Sequence, residues 1–370
     1  MNTFIYSFFA LAILAMAILC GVPDSGMAAE HFIVGNGDLL GSVSLASLAV
    51  AGVVDRDTIS SRAIQGMYYQ ALEGDAVTKY LDRISNFFTS DQESETYPWI
   101  GMPPQMREWI GGRQSQQLSV NGVTLTNVHY EATMEIKNKD RRRDKTKQIQ
   151  ARVGEFAQRG QTHFGSLLSS LIVGGASNVC YDGQYFFDTD HSEGKSGVQS
   201  NSITCAIAAQ PASVHGSVTA PSPEEMQQAI MQSIAKMYSF VDEHGEPLNE
   251  PARDFTVIVP TGLYMAAVSA VTMPRVAGVS VFDVMADGLN ISIAANPRLT
   301  IAGWTSKFVT VRSDGFIKPF IRQEETAPEL KTKGDGSDYE FDNDAIQLGI
   351  DSWRTVGYGR WQGAVLQTLV

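Results

Sequence analysis

Residues 180–191 read CYDGQYFFDTDH, and the fold turns on whether this stretch is a metal or catalytic site or a structural landmark. Its first half, Tyr181-Asp182-Gly183-Gln184, has the chemistry of a chain reversal, and Tyr185-Phe186-Phe187 is a β-prone run leaving it. Its second half sets Asp188, Asp190 and His191 close in sequence to Cys180, a mixture of carboxylate and imidazole that suits manganese, iron or zinc. Zinc and non-haem iron sites, however, draw their ligands at helix or strand spacing from several elements, and the chain holds no HExxH and no CxxC. The expectation is therefore a tight hairpin packed through Tyr185 and one of the two phenylalanines, with the Asp residues capping turns.

Upstream of it, residues 147–173 place Ile149, Val153, Phe156, Phe164, Leu167, Leu168, Leu171 and Ile172 mostly three and four apart, and Gly174-Gly175 supplies a stop. That is a long amphipathic spine helix running straight into the hairpin. His163, beside its stripe, reads as a partly buried core histidine, because no acid or nucleophile lies one turn away. The preceding run 137–147, KNKDRRRDKTK, is basic but interrupted by Asp140 and Asp144, with no aromatics to stack bases. It reads as a solvated face or an inter-subunit salt-bridge patch before it reads as a phosphate contact.

Before that, apolar residues largely alternate from Leu118 to Ile136 across Asn121-Gly122, which predicts a two-stranded projection of about 30–40 residues, longer than usual strands. Residues 58–88 carry a helical stripe broken near Gly74-Asp75. Downstream, Ser222-Pro223-Glu224-Glu225 is a capping box opening a helix to about residue 240, and residues 254–260 are a buried-type strand leading into a helix. Residues 195–220 are unpatterned and read as loop; residues 280–293, 299–311, 316–323, 345–350 and 356–369 read as the remaining strands.

The totals limit what such a chain does. Its 370 residues suffice for a composite architecture. A net charge of −12 argues against a free-standing nucleic-acid binder. Cys20, Cys180 and Cys205 are too few for a disulfide framework. The apolar run 4–20 resembles a secretory signal without its basic n-region. There is no GxSxG, no GxGxxG, no GxxxxGK[ST] and no kinase motif set. No catalytic residue, metal or cofactor follows from the residues, and the class they support is an α+β protein whose parts interlock with neighbours.

Four blocks, in order, resemble the major head subunit family of Mu-like phages and prophages: Tyr97-Pro98-Trp99-Ile100-Gly101 with Arg107-Glu108-Trp109-Ile110-Gly111; Cys180-Tyr181-Asp182-Gly183-Gln184 with Phe186-Phe187-Asp188 and Asp190-His191; Lys318-Pro319-Phe320-Ile321-Arg322-Gln323-Glu324; and Gly357-Tyr358-Gly359-Arg360-Trp361-Gln362. The resemblance covers roughly residues 60–370 and implies a Hong Kong 97-type capsid fold. On that pattern residues 1–57 are an extension, 58–96 an N-arm, 97–146 an extended loop, 147–204 a peripheral domain completed by 341–370, and 205–340 an axial domain. It implies a non-enzymatic subunit assembling in the host cytoplasm into hexamers and pentamers of a virion shell around double-stranded DNA, which it contacts non-specifically. Scaffold or protease, portal and decoration proteins are the implied further partners; a stable membrane partner is not. Trp99, Arg107, Trp109, Arg113, Arg141, Arg142 and Arg143 are the candidate inter-subunit contacts, and Tyr181, Asp182, Gly183, Phe187, Asp188 and His191 the structural hairpin. The other readings are an exported metal-dependent hydrolase using Asp188, Asp190 and His191, and another virion component such as a tail-tube protein.

Overall fold

The spine helix is the element about which the rest is placed. The computed structural model describes residues 60–72, 79–97, 106, 108, 109, 111, 122–144, 147–272, 274–276, 279–280 and 288–370. The apolar run 4–20, the connector that follows it, Trp99, Arg107 and Arg113 lie outside them.

Two short helices, α1 (Ser61–Leu72) and α2 (Lys79–Ile84), lead into β1 (Ser85–Thr89) and β2 (Ser94–Tyr97). After β3 (Val123–Thr126) and β4 (Val128–Lys137) come α3 (Asn138–Arg143) and the spine, α4 (Gln148–Val173). The next segment holds β5 (Ser202–Cys205), α5 (Pro223–Tyr238), β6 (Asp254–Val259) and α6 (Thr261–Thr272). Strands β7 (Pro274–Val276), β8 (Val279–Ser280) and β9 (Asn290–Ala295), helix α7 (Pro297–Ile301) and β10 (Lys307–Arg312) follow. The chain closes with β11 (Phe320–Lys333), α8 (Asp338–Asn343), β12 (Ala345–Tyr358) and β13 (Ala364–Leu369).

Two main sheets result. One runs β1-β11-β12-β4, with β1 parallel to β11 and the rest antiparallel. The other runs β5-β13-β10-β6-β9, with parallel pairs at both edges. At a rise of about 1.5 Å per residue the spine is about 39 Å long, enough to serve two cores. Its first half buries Ile149, Val153 and Ala157 with Ile64 and Tyr68 of α1 and Ile346, Leu348 and Ile350 of β12. Its second half buries Phe164, Leu168 and Ile172 in the larger core, which takes in α5, α6 and the five-stranded sheet.

Polar groups fix where the helix lies on its sheet. Glu324 of β11 stands directly opposite Arg354 of β12, and their side chains pair at 3.0 Å. The Arg354 guanidinium, 1% exposed, sits 4.5 Å from the centre of the Phe164 ring on the spine, and Arg322 covers the same ring at 5.6 Å. Burial pulls the Arg354 pKa down and pushes that of Glu324 up, and each is offset by the other's charge. A pair this deep persists because losing one partner would strand the other.

The capping box at Ser222 forms as the sequence reads, with Ser222 accepting from the Glu225 N–H and Glu225 accepting from the Ser222 N–H. One expectation changes and another falls partly outside the described residues. The long projection around Asn121-Gly122 is described only on its second arm, residues 118–120 lying outside; there β3 pairs with β2, and β4 pairs over ten positions with β12. Alternation reports a packed face and is silent about the partner strand. Residues 195–220 are not all loop, since β5 lies among them as the parallel neighbour of β13. The acidic stretch 334–342 contains the short helix α8. No helix among the described residues is long and apolar enough to cross a membrane.

Phe164→Ala removes the ring both guanidiniums cover and opens a cavity between the cores. It is expected to cost about 3–5 kcal/mol in chemical denaturation, and a loss below about 1 kcal/mol would show that the ring is not the anchor described.

Candidate functional site

The spine ends at Gly174-Gly175, and the chain doubles back so tightly that a Cβ on Gly175 would fall 2.5 Å from the Phe187 ring. Glycine is required there by space. The turn itself forms as its residues dictate: the Gly183 N–H donates to Cys180 O at 3.2 Å, the Cys180 N–H donates to Gln184 O at 2.7 Å, and Gly183 adopts a φ of +87°. Beyond the turn there is a single bridge between Val179 and Tyr185 and no strand. Phe186 and Phe187 are buried, whereas Tyr185 is 46% exposed, so the expectation that Tyr185 packs inward is corrected. With one bridge and no ladder, the burial of the two phenylalanines sets which residue faces out.

His191 is fully buried and pairs through Nδ1 with Asp182 Oδ2 at 2.6 Å. Its ring stacks on Trp361 at 4.0 Å and 9°. Asp188 is used locally, its carboxylate accepting the N–H groups of Tyr185 and Thr189 while its own N–H donates to Asn201 Oδ1 at 2.9 Å. Asp190 is exposed. The three residues of the metal-hydrolase reading therefore do not converge; the carboxylate at the histidine is that of Asp182, nine residues back. Among the described residues no group of three or more His, Cys, Asp and Glu side chains is placed to hold a metal ion.

A second centre lies alongside. Glu193 Oε1 accepts the Tyr181 hydroxyl at 2.6 Å and the Trp361 Nε1–H at 3.0 Å, and Gln362 Nε2 approaches it at 3.4 Å. Burial, and then the Glu193 charge, push the Tyr181 hydroxyl well above its usual pKa. Burial lowers the pKa of the nearby Arg360, with Tyr181 and Glu193 opposing. The Cys180 thiol is pushed up by burial first and the Asp182 charge second, the reverse of what activates a nucleophile.

Described residues of the blocks that carry the sequence resemblance meet here, with Tyr97 from the first block. Phe186 stacks on Tyr358 at 4.5 Å and leans on Phe320 at 5.3 Å. The Gly359 N–H donates to Pro319 O at 2.7 Å, and a Cβ on Gly359 would fall 2.3 Å from Lys318 O. The Tyr97 hydroxyl donates to Gln323 Oε1 at 2.7 Å, with its pKa pushed by burial to about 12. Segments up to 226 residues apart in the chain are thus keyed to one another by a hydrogen bond, ring stacks and a close backbone approach. Glu193 and Asn201 lie outside all four blocks and had no sequence signal; Trp361 had one.

Of the candidate contact residues, Trp109 is 68% exposed. Arg142 and Arg143 are exposed, but Arg141 is buried, its guanidinium 2.7 Å from Asp335 and 3.7 Å from Glu340. Arg141 therefore serves a contact inside the chain. Between β4 and the spine lies a groove of about 530 Å³ lined by Tyr130, Met134, Phe156, His163 and Ile350, with Glu131, Arg152, Glu155 and Arg159 among its other walls.

A family model described as the Mu-like prophage major head subunit gpT matches residues 59–211 and 299–368. The major capsid protein of Escherichia phage Mu is 32% identical over 117 residues, 32% of this chain and 38% of that protein. The FluMu major head subunit of Haemophilus influenzae is 32% identical over 111 residues, 30% of this chain and 36% of that protein. The chain thus spans under two-fifths of the length of each of these curated relatives. Among solved structures, the capsid of cyanophage P-SCSP1u superposes with a TM-score of 0.50 at 11% identity, covering 80% of this chain and 89% of that one. At that identity the likeness is one of fold.

Two outcomes test the junction. Glu193→Ala strands the Tyr181 hydroxyl and the Trp361 indole N–H and is expected to cost about 1–3 kcal/mol in urea denaturation, whereas Glu193→Gln, which keeps an acceptor, costs less. Peptide mapping after alkylation at mildly alkaline pH is expected to find Cys180 unmodified in the native protein and labelled once unfolded; rapid native labelling would contradict its burial.

Proposed function

The chain belongs to the Mu-like prophage major head subunit family, and from that premise we propose that it is the subunit of a phage or prophage head, assembling as hexamers and pentamers into a shell around double-stranded DNA. Its fold is the Hong Kong 97-type capsid fold, shared with the cyanophage capsid. The observation that carries the reading is the match of the family model over residues 59–211 and 299–368; within those ranges Tyr97 and described residues of the three later blocks pack together near the end of the spine.

In this reading residues 58–96 are the N-arm, 97–146 the extended loop, 147–204 with 341–370 the peripheral domain and 205–340 the axial domain, with 1–57 as an extension. Assembly takes place in the host cytoplasm, with scaffold or protease, portal and decoration proteins as further partners. The geometry of residues 180–191 supports a structural role, since Asp182, Asp188 and His191 are spent on turns and on a buried pair. The acidic balance supports loose contact with DNA: a net charge of −12 repels phosphate and leaves packaged DNA free to slide.

Expressed with its head-gene neighbours and purified, the protein is expected to give closed shells or capsomer rings in negative-stain micrographs. A stable monomer under those conditions would overturn the reading, and open tubes would assign it to a tail. Intact-mass measurement on particles then shows whether residues 1–57 are retained.

A further inference from the structure

Helices α3 and α8 lie side by side at one end of the four-stranded sheet, where β4 runs into α3 and α8 runs into β12. Their facing sides are matched within the chain: Asn138 Nδ2 donates to Glu340 at 2.9 Å and to Asp344 at 3.1 Å, and Arg141 pairs with Asp335 at 2.7 Å. Their outward sides are not. Lys139, Arg142 and Arg143 occupy positions i, i+3 and i+4 of α3, so they share one stripe, and all three are exposed. Asp338, Phe341 and Asp342 occupy the same positions of α8 and are exposed too, Phe341 at 91%. Among the described residues none of these five charged side chains makes an ion pair.

We propose that these stripes are the two halves of one contact between copies of this chain, the Lys139–Arg142–Arg143 stripe of one subunit meeting the Asp338–Phe341–Asp342 stripe of the next. The inference rests on the shell reading above and names a surface through which subunits join. Spacing and charge both match: two basic groups can face two carboxylates while a third lies over the Phe341 ring, the arrangement guanidinium groups favour. An exposed phenylalanine between two acids has no role in the chain's own core and is an anchor for such a cation. The contact is head-to-tail, so each subunit uses both stripes and the chain of contacts closes where the rotation closes. Nucleic acid is the weaker occupant for the basic stripe, because Asp140 and Asp144 lie in the same segment and the acidic stripe stands beside it.

Head-to-tail pairing makes a specific prediction for charge reversal. Arg142→Glu with Arg143→Glu, or Asp338→Lys with Asp342→Lys, is expected to lower association about tenfold or more by sedimentation, with the thermal melt of the subunit unchanged. Mixing the two singly reversed proteins, or placing all four substitutions in one chain, restores complementarity and is expected to restore association. Failure of both rescues overturns the contact, as does undiminished shell formation by each singly reversed protein, which would leave the shell reading standing. Normal shells from the Arg142→Glu, Arg143→Glu protein that have lost co-purifying nucleic acid would assign the stripe to phosphate and likewise overturn it. Rescue on mixing in a protein that forms no shells supports the contact and counts against the shell reading alone.

Discussion

The contact of the Phe164 ring with the guanidinium groups of Arg322 and Arg354 is the interaction on which the arrangement depends. Each cation is itself tied to a different element: Arg354 to Glu324 across the strand pair, Arg322 to Ser85 at the start of β1 and to Asp82 of α2. The ring therefore joins the spine to three strands at once. Hydrophobic burial supplies most of the stability of both cores, but it does not fix where along a helix a sheet must sit. The charge-assisted contacts with the ring do.

Downstream of that anchor, the junction at the helix end follows from space and from unsatisfied donors. Gly175, Gly357, Gly359 and Gly363 lie where a Cβ would strike Phe187, Leu125, Lys318 and Pro319. Tyr181 and Trp361 bring a hydroxyl and an indole N–H into a partly dry site, and Glu193 receives both. The described motif-bearing residues are thus constrained by packing.

Much of this was legible in the sequence where the signal is local. The 3.6-residue stripe of the spine, the Ser222 box and the apolar run of β6 each carry their own evidence, because helix and buried strand are periodic and caps are spelled by adjacent residues. Pairings between distant segments were not legible. Nothing in residues 182 and 191 says that their side chains meet, and the acids nearest the histidine in sequence are not its partner. Strand β5 was read as loop because four residues of Ser-Ile-Thr-Cys lack a pattern of their own and are ordered by β13. Tyr185 was placed inside because an Asp-Gly turn predicts a hairpin, whereas the chain makes one bridge and leaves.

The spine also has a thermodynamic consequence. One unbroken helix contributes Ile149 and Val153 to one core and Leu168 and Ile172 to the other, so neither core can open without exposing apolar surface that the other holds in register. Helix hydrogen bonds are cooperative along the axis, and a rod of 26 residues is stiff over the distance between the cores. Local loosening at one end is therefore penalised at the other.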